Sequence, residues 1–256
     1  MDNHGDLSIC PLIEDAMLEI RKAGERGTTT LGCLKSRHSF SFDTYQDPQE
    51  RGFSELKVIN DDRIAGGRGF AQHPHRDMEI LTLVLQGALA HKDTLGNGSV
   101  IQPGDVQLMS AGSGIAHSEY NHSRTQPVHL LQVWISPKIH RGKPRYQQKR
   151  FAVAYKRGRL LLIASPNAQD GSLQIQQDTR IYSGLFQGSE NATLPLAGDR
   201  CAYVHVARGK ISVNGQRLNE GDGLKVRGEK ALNLGNGIDA EVLVFELRLK
   251  DNSGKR

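Results

Sequence analysis

Cysteine is scarce: Cys10, Cys33 and Cys201 are the whole complement of a 256-residue chain. Three thiols, odd in number and scattered, cannot make a disulfide framework, so a reducing compartment is expected. Long apolar runs are missing too. No stretch reaches the roughly eighteen residues that a membrane span needs, and the opening "MDNHGDLSICPLIEDAMLEI" is acidic, without the basic flank and apolar run of a secretory signal. A cytoplasmic protein without a membrane association is the expectation. Excess charge is also lacking. A net +5 over this length is mild, and the one basic cluster, Lys138, Arg141, Lys143, Arg145, Lys149 and Arg150, has no interleaved aromatics, which argues against direct nucleic-acid binding. A phosphate loop is absent as well: "GGRGFAQ" has neither the Lys-Ser/Thr ending nor a following helix. Gly112-Ser113-Gly114 precedes a strand and is no nucleophile elbow.

What the chain does have is short β-rich runs, such as "MEILTLVLQGAL", "VHLLQVWIS", "LLLIAS", "AYVHVARGKISV" and "AEVLVFELRL", each bounded by turn residues. Many short strands with frequent turns predict an all-β fold, a sandwich or closed barrel. Only the region from Pro11 to Lys22 has a helical look, and Pro166 to Asp170 reads as a short helical turn. An internal echo predicts two similar β-units. A strand, Gly87, the Gly96–Gly98 turn and Pro103-Gly104-Asp105 come in one order, and Gly209, Asn214-Gly215 and Glu220-Gly221-Asp222 follow in the same order. Asn214-Gly215 is a two-residue hairpin signal.

The chemistry sits in two pairs, His73 with His75 and His117 with Glu119. Side chains two apart on a strand share a face, with Cα atoms about 6.5 Å apart, so each pair can lean onto one ion. The second strand is expected to face the first across a barrel. Three imidazoles and a carboxylate, with no cysteine nearby, suit iron, nickel, copper, manganese or catalytic zinc rather than a closed structural zinc site. Four protein ligands on an octahedral ion leave two positions for exchange. The only histidine after residue 150, His205 in "CAYVHVA", is expected to be a core or edge residue with a local hydrogen bond, so the second β-unit should carry no metal.

The stretch Gly67 to Glu79, with His73-Pro74-His75 inside it, resembles the first cupin motif, and His117 to Asn121 resembles the end of the second. "FSELKVINDD", "HPHRDMEILTLVLQG", "MSAGSGIAHSEYN" and "PRYQQKRF" together resemble the pirin family, and within it the bacterial quercetinase-like members, from about Ile20 to Leu247. The resemblance implies a bicupin, two β-barrel or jelly-roll domains. The expected division is an N-terminal extension 1–17, a metal-binding cupin 18–140, a basic linker 141–150, a metal-free cupin 151–248 and a polar tail 249–256. It also implies His73, His75, His117 and Glu119 as ligands of one divalent metal ion, Fe(II) favoured, with Ni, Cu, Mn, Co or Zn as alternatives. Glu79 is expected just outside the ligand shell, His38 at the pocket mouth, and His129 hydrogen-bonded inside the barrel. Met109, Phe40 and Phe42 are candidates for an apolar wall, with core packing as their plainer role.

Two functions compete on these ligands. One is a quercetin 2,3-dioxygenase-like oxidoreductase, in which Glu119 takes the flavonol 3-hydroxyl proton and dioxygen opens the ring. The other is a non-enzymatic, iron-dependent redox-sensing regulator that binds a protein partner. The enzyme requires an open apolar pocket over the ligands. The regulator requires a partner surface, for which the basic linker is the candidate.

Overall fold

Period-two alternation sets the layout. In the strand Glu79–Gln86, Leu81, Leu83 and Leu85 face one way, while Ile80 and Val84 face the other; in Val128–Ile135, Leu131 and Val133 oppose Leu130. Both faces are buried, because each strand is covered on one side by its own barrel and on the other by the second half of the chain. The computed structural model describes residues 16–250 and is built almost wholly of strands.

The first half is a seven-stranded sheet and a four-stranded sheet. The larger runs Arg145–Arg150, Asp105–Ser110, Glu79–Gln86, Val128–Ile135, Leu56–Ile64, Leu34–His38 and Gly27–Leu31; the smaller runs Gly69–His75, Ile115–Asn121, Leu89–Asp93 and Gly98–Ile101. The second half is one nine-stranded sheet dominated by Arg200–Val213 and Ala231–Arg248. Two jelly-roll barrels in tandem are the expected bicupin. Val204, Val206, Leu224 and Val242 fill the second barrel. Between the barrels, Leu81, Leu131 and Val133 meet Ile163, Tyr203 and Phe245 in one continuous core, each such burial contributing roughly 1.5–3 kcal/mol. The Asn214-Gly215 hairpin forms as expected: Val213 pairs with Gln216, and both turn residues take positive φ, 45° and 78°. Among the described residues no helix is long and apolar enough to cross a membrane.

Several local expectations are corrected. The helical look of Pro11 to Lys22 gives way, in its described part, to a strand, Met17–Arg21, paired antiparallel with Gly223–Arg227; the partner strand overrides a weak propensity. That strand joins the second barrel's sheet, although residues 18–140 were expected to build the first barrel alone. Residues 1–15 of the 1–17 extension lie outside the described residues. Part of the 141–150 linker is a strand as well, Arg145–Arg150, paired with Asp105–Ser110. The turn expected at Pro166 to Asp170 is a short 3₁₀ segment, Gln169–Gly171. Of the 249–256 tail, Leu249 is tied to Asp199 by a backbone hydrogen bond of 2.8 Å, and 251–256 lie outside the described residues.

Polar groups also gather between the barrels. Asp61 accepts from His129 Nε2 at 2.6 Å and from Arg26 at 3.3 Å, so His129 bonds at the barrel interface rather than within the barrel. His205 is wholly buried beside this cluster, but neither ring nitrogen finds a hydrogen-bond partner among the described residues. Burial, with Arg26 nearby, pushes its pKa down to about 4, so it sits there neutral.

Candidate metal centre

The strands Gly69–His75 and Ile115–Asn121 lie side by side in the four-stranded sheet and do not face each other across the barrel, as had been expected. They run antiparallel, His117 opposite His73 and Ile115 opposite His75, with a register shift between His117 and Glu119. Adjacency brings the imidazoles together: ring centroids are 4.5 Å apart for His73 and His117, and 4.9 Å for His75 with each of the others. His117 Nε2 is 3.0 Å from His73 Nε2. Two donors at right angles on an ion about 2.1 Å from each would be separated by about 3.0 Å.

Glu119 joins a second, overlapping group with His117 and His91, and not the His73–His75–His117 triplet itself. Gln132 Nε2 donates to Glu119 Oε2 at 2.8 Å, and Gln132 Oε1 accepts from Trp134 Nε1 at 3.0 Å. This chain fixes the amide's orientation and leaves Glu119 Oε1 without a partner among the described residues, as is His75 Nε2. Two orphaned, buried ligand-type atoms in one cluster are what a divalent cation would satisfy. The donor set therefore fits such an ion, without selecting which one.

Electrostatics agree with that fit. Burial, helped by the neighbouring imidazoles, holds His75 down to about 4 and His117 to about 3, so both carry lone pairs at neutral pH. Burial pushes Glu119 up to about 7, Gln132's hydrogen bond opposing and the Asp62 charge adding to the rise. Behind His117 stands His91, wholly buried, whose Nε2 donates to Asp93 Oδ2 at 3.1 Å while Gln107 reaches its Nδ1 at 2.9 Å. His117 Nδ1 comes within 3.4 Å of His91 Nδ1, so the ring anchored on Asp93 backs the His117 imidazole and limits its orientation.

Above the cluster opens a cavity of about 230 Å³. Leu31, Leu34, Phe42, Phe70 and Trp134 form its apolar walls, and Thr29, Ser36, His38, Asn60, Asp62 and Gln132 its polar positions. Phe42 meets Trp134 edge-on at 5.4 Å, and Trp134 meets His75 at 5.0 Å. His38 lines this cavity as expected, bonded to Asn60 Oδ1 and Thr29 Oγ1 at 2.8 Å each. Three other candidates lie elsewhere. Phe40 packs on Tyr203 between the barrels, ring centroids 5.3 Å apart. Met109 is buried behind the cavity with Ile80 and Ile115, against Trp134. Glu79 shares the face of Leu81 and so points at the second barrel, accepting from Ser110 Oγ at 2.9 Å and Gln176 N at 3.1 Å; it is not beside the cluster.

Sequence reading missed Trp134, Gln132, Asp62 and the His91–Asp93 pair. A signal existed for the last two: His91 and Asp93, like Asn60 and Asp62, repeat the i,i+2 spacing of the ligand pairs.

Comparison with known proteins gives a consistent picture. The family description "Pirin" matches residues 19–135, and "Quercetinase C-terminal cupin domain" matches 162–247. A quercetin 2,3-dioxygenase of Escherichia coli (strain K12) is 45% identical over 232 residues, covering 90% of this chain and 99% of the relative. A pirin-like protein of Caulobacter vibrioides is 38% identical, covering 90% and 99%. The crystal structure of the bacterial pirin YhhW from Escherichia coli in complex with nickel(II) superposes with a TM-score of 0.87 at 45% identity, covering 91% of this chain and all of that one.

Proposed function

Since this chain belongs to the pirin family, we propose that it is a quercetin 2,3-dioxygenase-like enzyme, with one divalent metal ion held by His73, His75, His117 and Glu119. The observation that carries this reading is an aromatic-walled cavity opening directly over the imidazole cluster. A regulator needs the ligands but has no use for a slot of this shape, so the cavity favours the enzyme.

A bound divalent ion supplies a Lewis acid that lowers the pKa of a coordinated hydroxyl and gives substrate and dioxygen a common docking point. The protein's own groups do the rest. The half-buried imidazole of His75 and the buried one of His117 stay neutral at working pH. Glu119 is oriented by Gln132 through Oε2, and its carboxylate, placed beside the ion it would help to hold, is the group that would take the proton of a flavonol 3-hydroxyl. Trp134, Phe42 and Phe70 hold a planar ring system and exclude water. The balance is one flavonol plus one dioxygen giving one ring-opened ester and one carbon monoxide, with no external reductant.

The test is flavonol consumption and carbon monoxide release under air by protein loaded separately with iron, nickel, copper, manganese, cobalt or zinc. Turnover with at least one metal at about one ion per chain is the expected result. No turnover with any of the six would overturn the proposal.

A further inference from the structure

Asp61 and Asp62 are neighbours on the strand Leu56–Ile64 and point to opposite faces. Asp61 faces the second barrel and is fully engaged by His129, Arg26 and Arg63. Asp62 faces the cavity, is 3% exposed, has no cation among its neighbours, and leaves Oδ1 without a hydrogen-bond partner among the described residues. The hydroxyl of Ser36 lies beside it and favours its charged form.

The other buried polar groups of the cavity are already spent, and the Asp43 carboxyl, which also lines it, is exposed to solvent. His38 bonds Asn60 and Thr29, and Gln132 bonds Glu119 and Trp134. Three buried atoms lining the cavity remain unpaired: His75 Nε2, Glu119 Oε1 and Asp62 Oδ1. The first two belong to the metal cluster. The third does not, and a buried carboxyl oxygen left without a partner is a standing penalty unless something that binds there relieves it.

We propose that Asp62 is a specificity-determining residue of the cavity, pairing with a second hydroxyl of a planar, polyhydroxylated aromatic substrate whose first hydroxyl lies at the histidine cluster. The inference rests on the dioxygenase reading of the same site. A hydroxyl is the matching group because it donates to a carboxylate and accepts from a carboxylic acid, so the pairing holds whether or not Asp62 carries its proton. The aromatic walls supply the demand for planarity. An aromatic with a single hydroxyl satisfies the metal cluster but leaves Asp62 Oδ1 unpaired, and a site built for a hydroxyl rejects a ligand that lacks it.

The experiment compares quercetin with 3-hydroxyflavone, which keeps the metal-binding hydroxyl and loses the others. Equilibrium binding is measured without oxygen on metal-loaded wild type, Asp62→Leu and Asp62→Asn, with metal content as control and KM and kcat under air as a second readout. Asp62→Leu is expected to weaken quercetin binding by roughly tenfold to a hundredfold, to leave 3-hydroxyflavone within about twofold, and to keep the metal. Asp62→Asn, whose amide can still donate and accept, should recover most of the quercetin affinity. Should the leucine variant fail to fold, Asp62→Ala reads the same difference. If wild type prefers quercetin and the leucine or alanine variant keeps that preference, or loses both ligands equally, Asp62 is not the determinant. If wild type binds neither flavonol, the dioxygenase reading falls and this inference falls with it.

Discussion

Replacing Asp62 by asparagine should make the metal-stripped protein more stable, and increasingly so as the pH rises. Burial pushes the Asp62 carboxyl from 3.8 up to about 7, with Ser36 opposing and Asp61 adding to the rise. A carboxyl raised in the folded state contributes most below its unfolded pKa. Its contribution falls as pH climbs through the interval up to the folded value, and is flat above that. From pH 5 to pH 8 the loss spans about two units at roughly 1.4 kcal/mol each, about 2–3 kcal/mol in all. The side chain is almost fully buried, so solvent screening takes little from that figure. Asparagine has nearly the same shape and cannot ionise, so the stability difference between Asp62→Asn and wild type should grow by this amount between the two pH values. For a chain of this size that corresponds to about 5–10 °C in Tm. The assay is urea or thermal unfolding of both proteins at pH 5 and pH 8 after chelation. Glu79 and Glu119 are also pushed up to about 7 by burial, so wild type itself should weaken over the interval; the Glu79 part is common to both proteins and cancels, while loss of the Asp62 charge also eases Glu119 and adds to the difference in the same direction. A difference that stays constant to within about 0.5 kcal/mol would show that Asp62 ionises normally and would refute the burial argument.

Three further outcomes are expected. Glu119→Gln keeps three imidazoles and a carbonyl oxygen, so by elemental analysis it should retain measurable metal, yet lose roughly 10²- to 10⁴-fold in flavonol turnover per bound ion; equal rates per ion would remove Glu119 as the base. His117→Ala takes away the imidazole shared by both donor groups and should nearly empty the site of the approximately one ion per chain, which an undiminished metal content would contradict. Asp61→Ala leaves Arg26 charged and 7% exposed at the interface, and should destabilise the fold by about 3–5 kcal/mol in urea titrations. Because burial's upward push on Asp61 is outweighed by His129 and Arg26, its pKa falls from 3.8 to about 2. Its contribution is therefore present above about pH 4 and should vanish as pH drops through 2.

The architecture was legible because period-two patterns with turn residues are local signals, and the His73–His75 and His117–Glu119 pairs announced themselves by spacing alone. What spacing could not supply is register. That the two pairs lie on neighbouring strands, His117 against His73, depends on which strands hydrogen-bond, a long-range fact. The same gap explains the misplaced residues. Phe40 and Glu79 were near cavity residues in sequence, but Phe40 follows the end of the strand Leu34–His38 and Glu79 begins a strand that does not line the cavity, and in a bicupin the face they turn to is a second core rather than solvent. Burial on both faces also blurs the usual polar-out signal, so Asp61 and Asp62 look alike in "VINDDRI" although one is locked in an ion-pair cluster and the other is left facing the cavity. Met17–Arg21 failed for a related reason: its strand character comes from Gly223–Arg227, about two hundred residues away, and nothing in a short acidic-to-basic stretch encodes a partner so distant. Local chemistry thus points to the candidate ligands, while pairing decides which other polar groups the cavity collects. The substrate specificity proposed for Asp62 belongs to that second kind of information, since it follows from which of two adjacent aspartates the sheet turns inward.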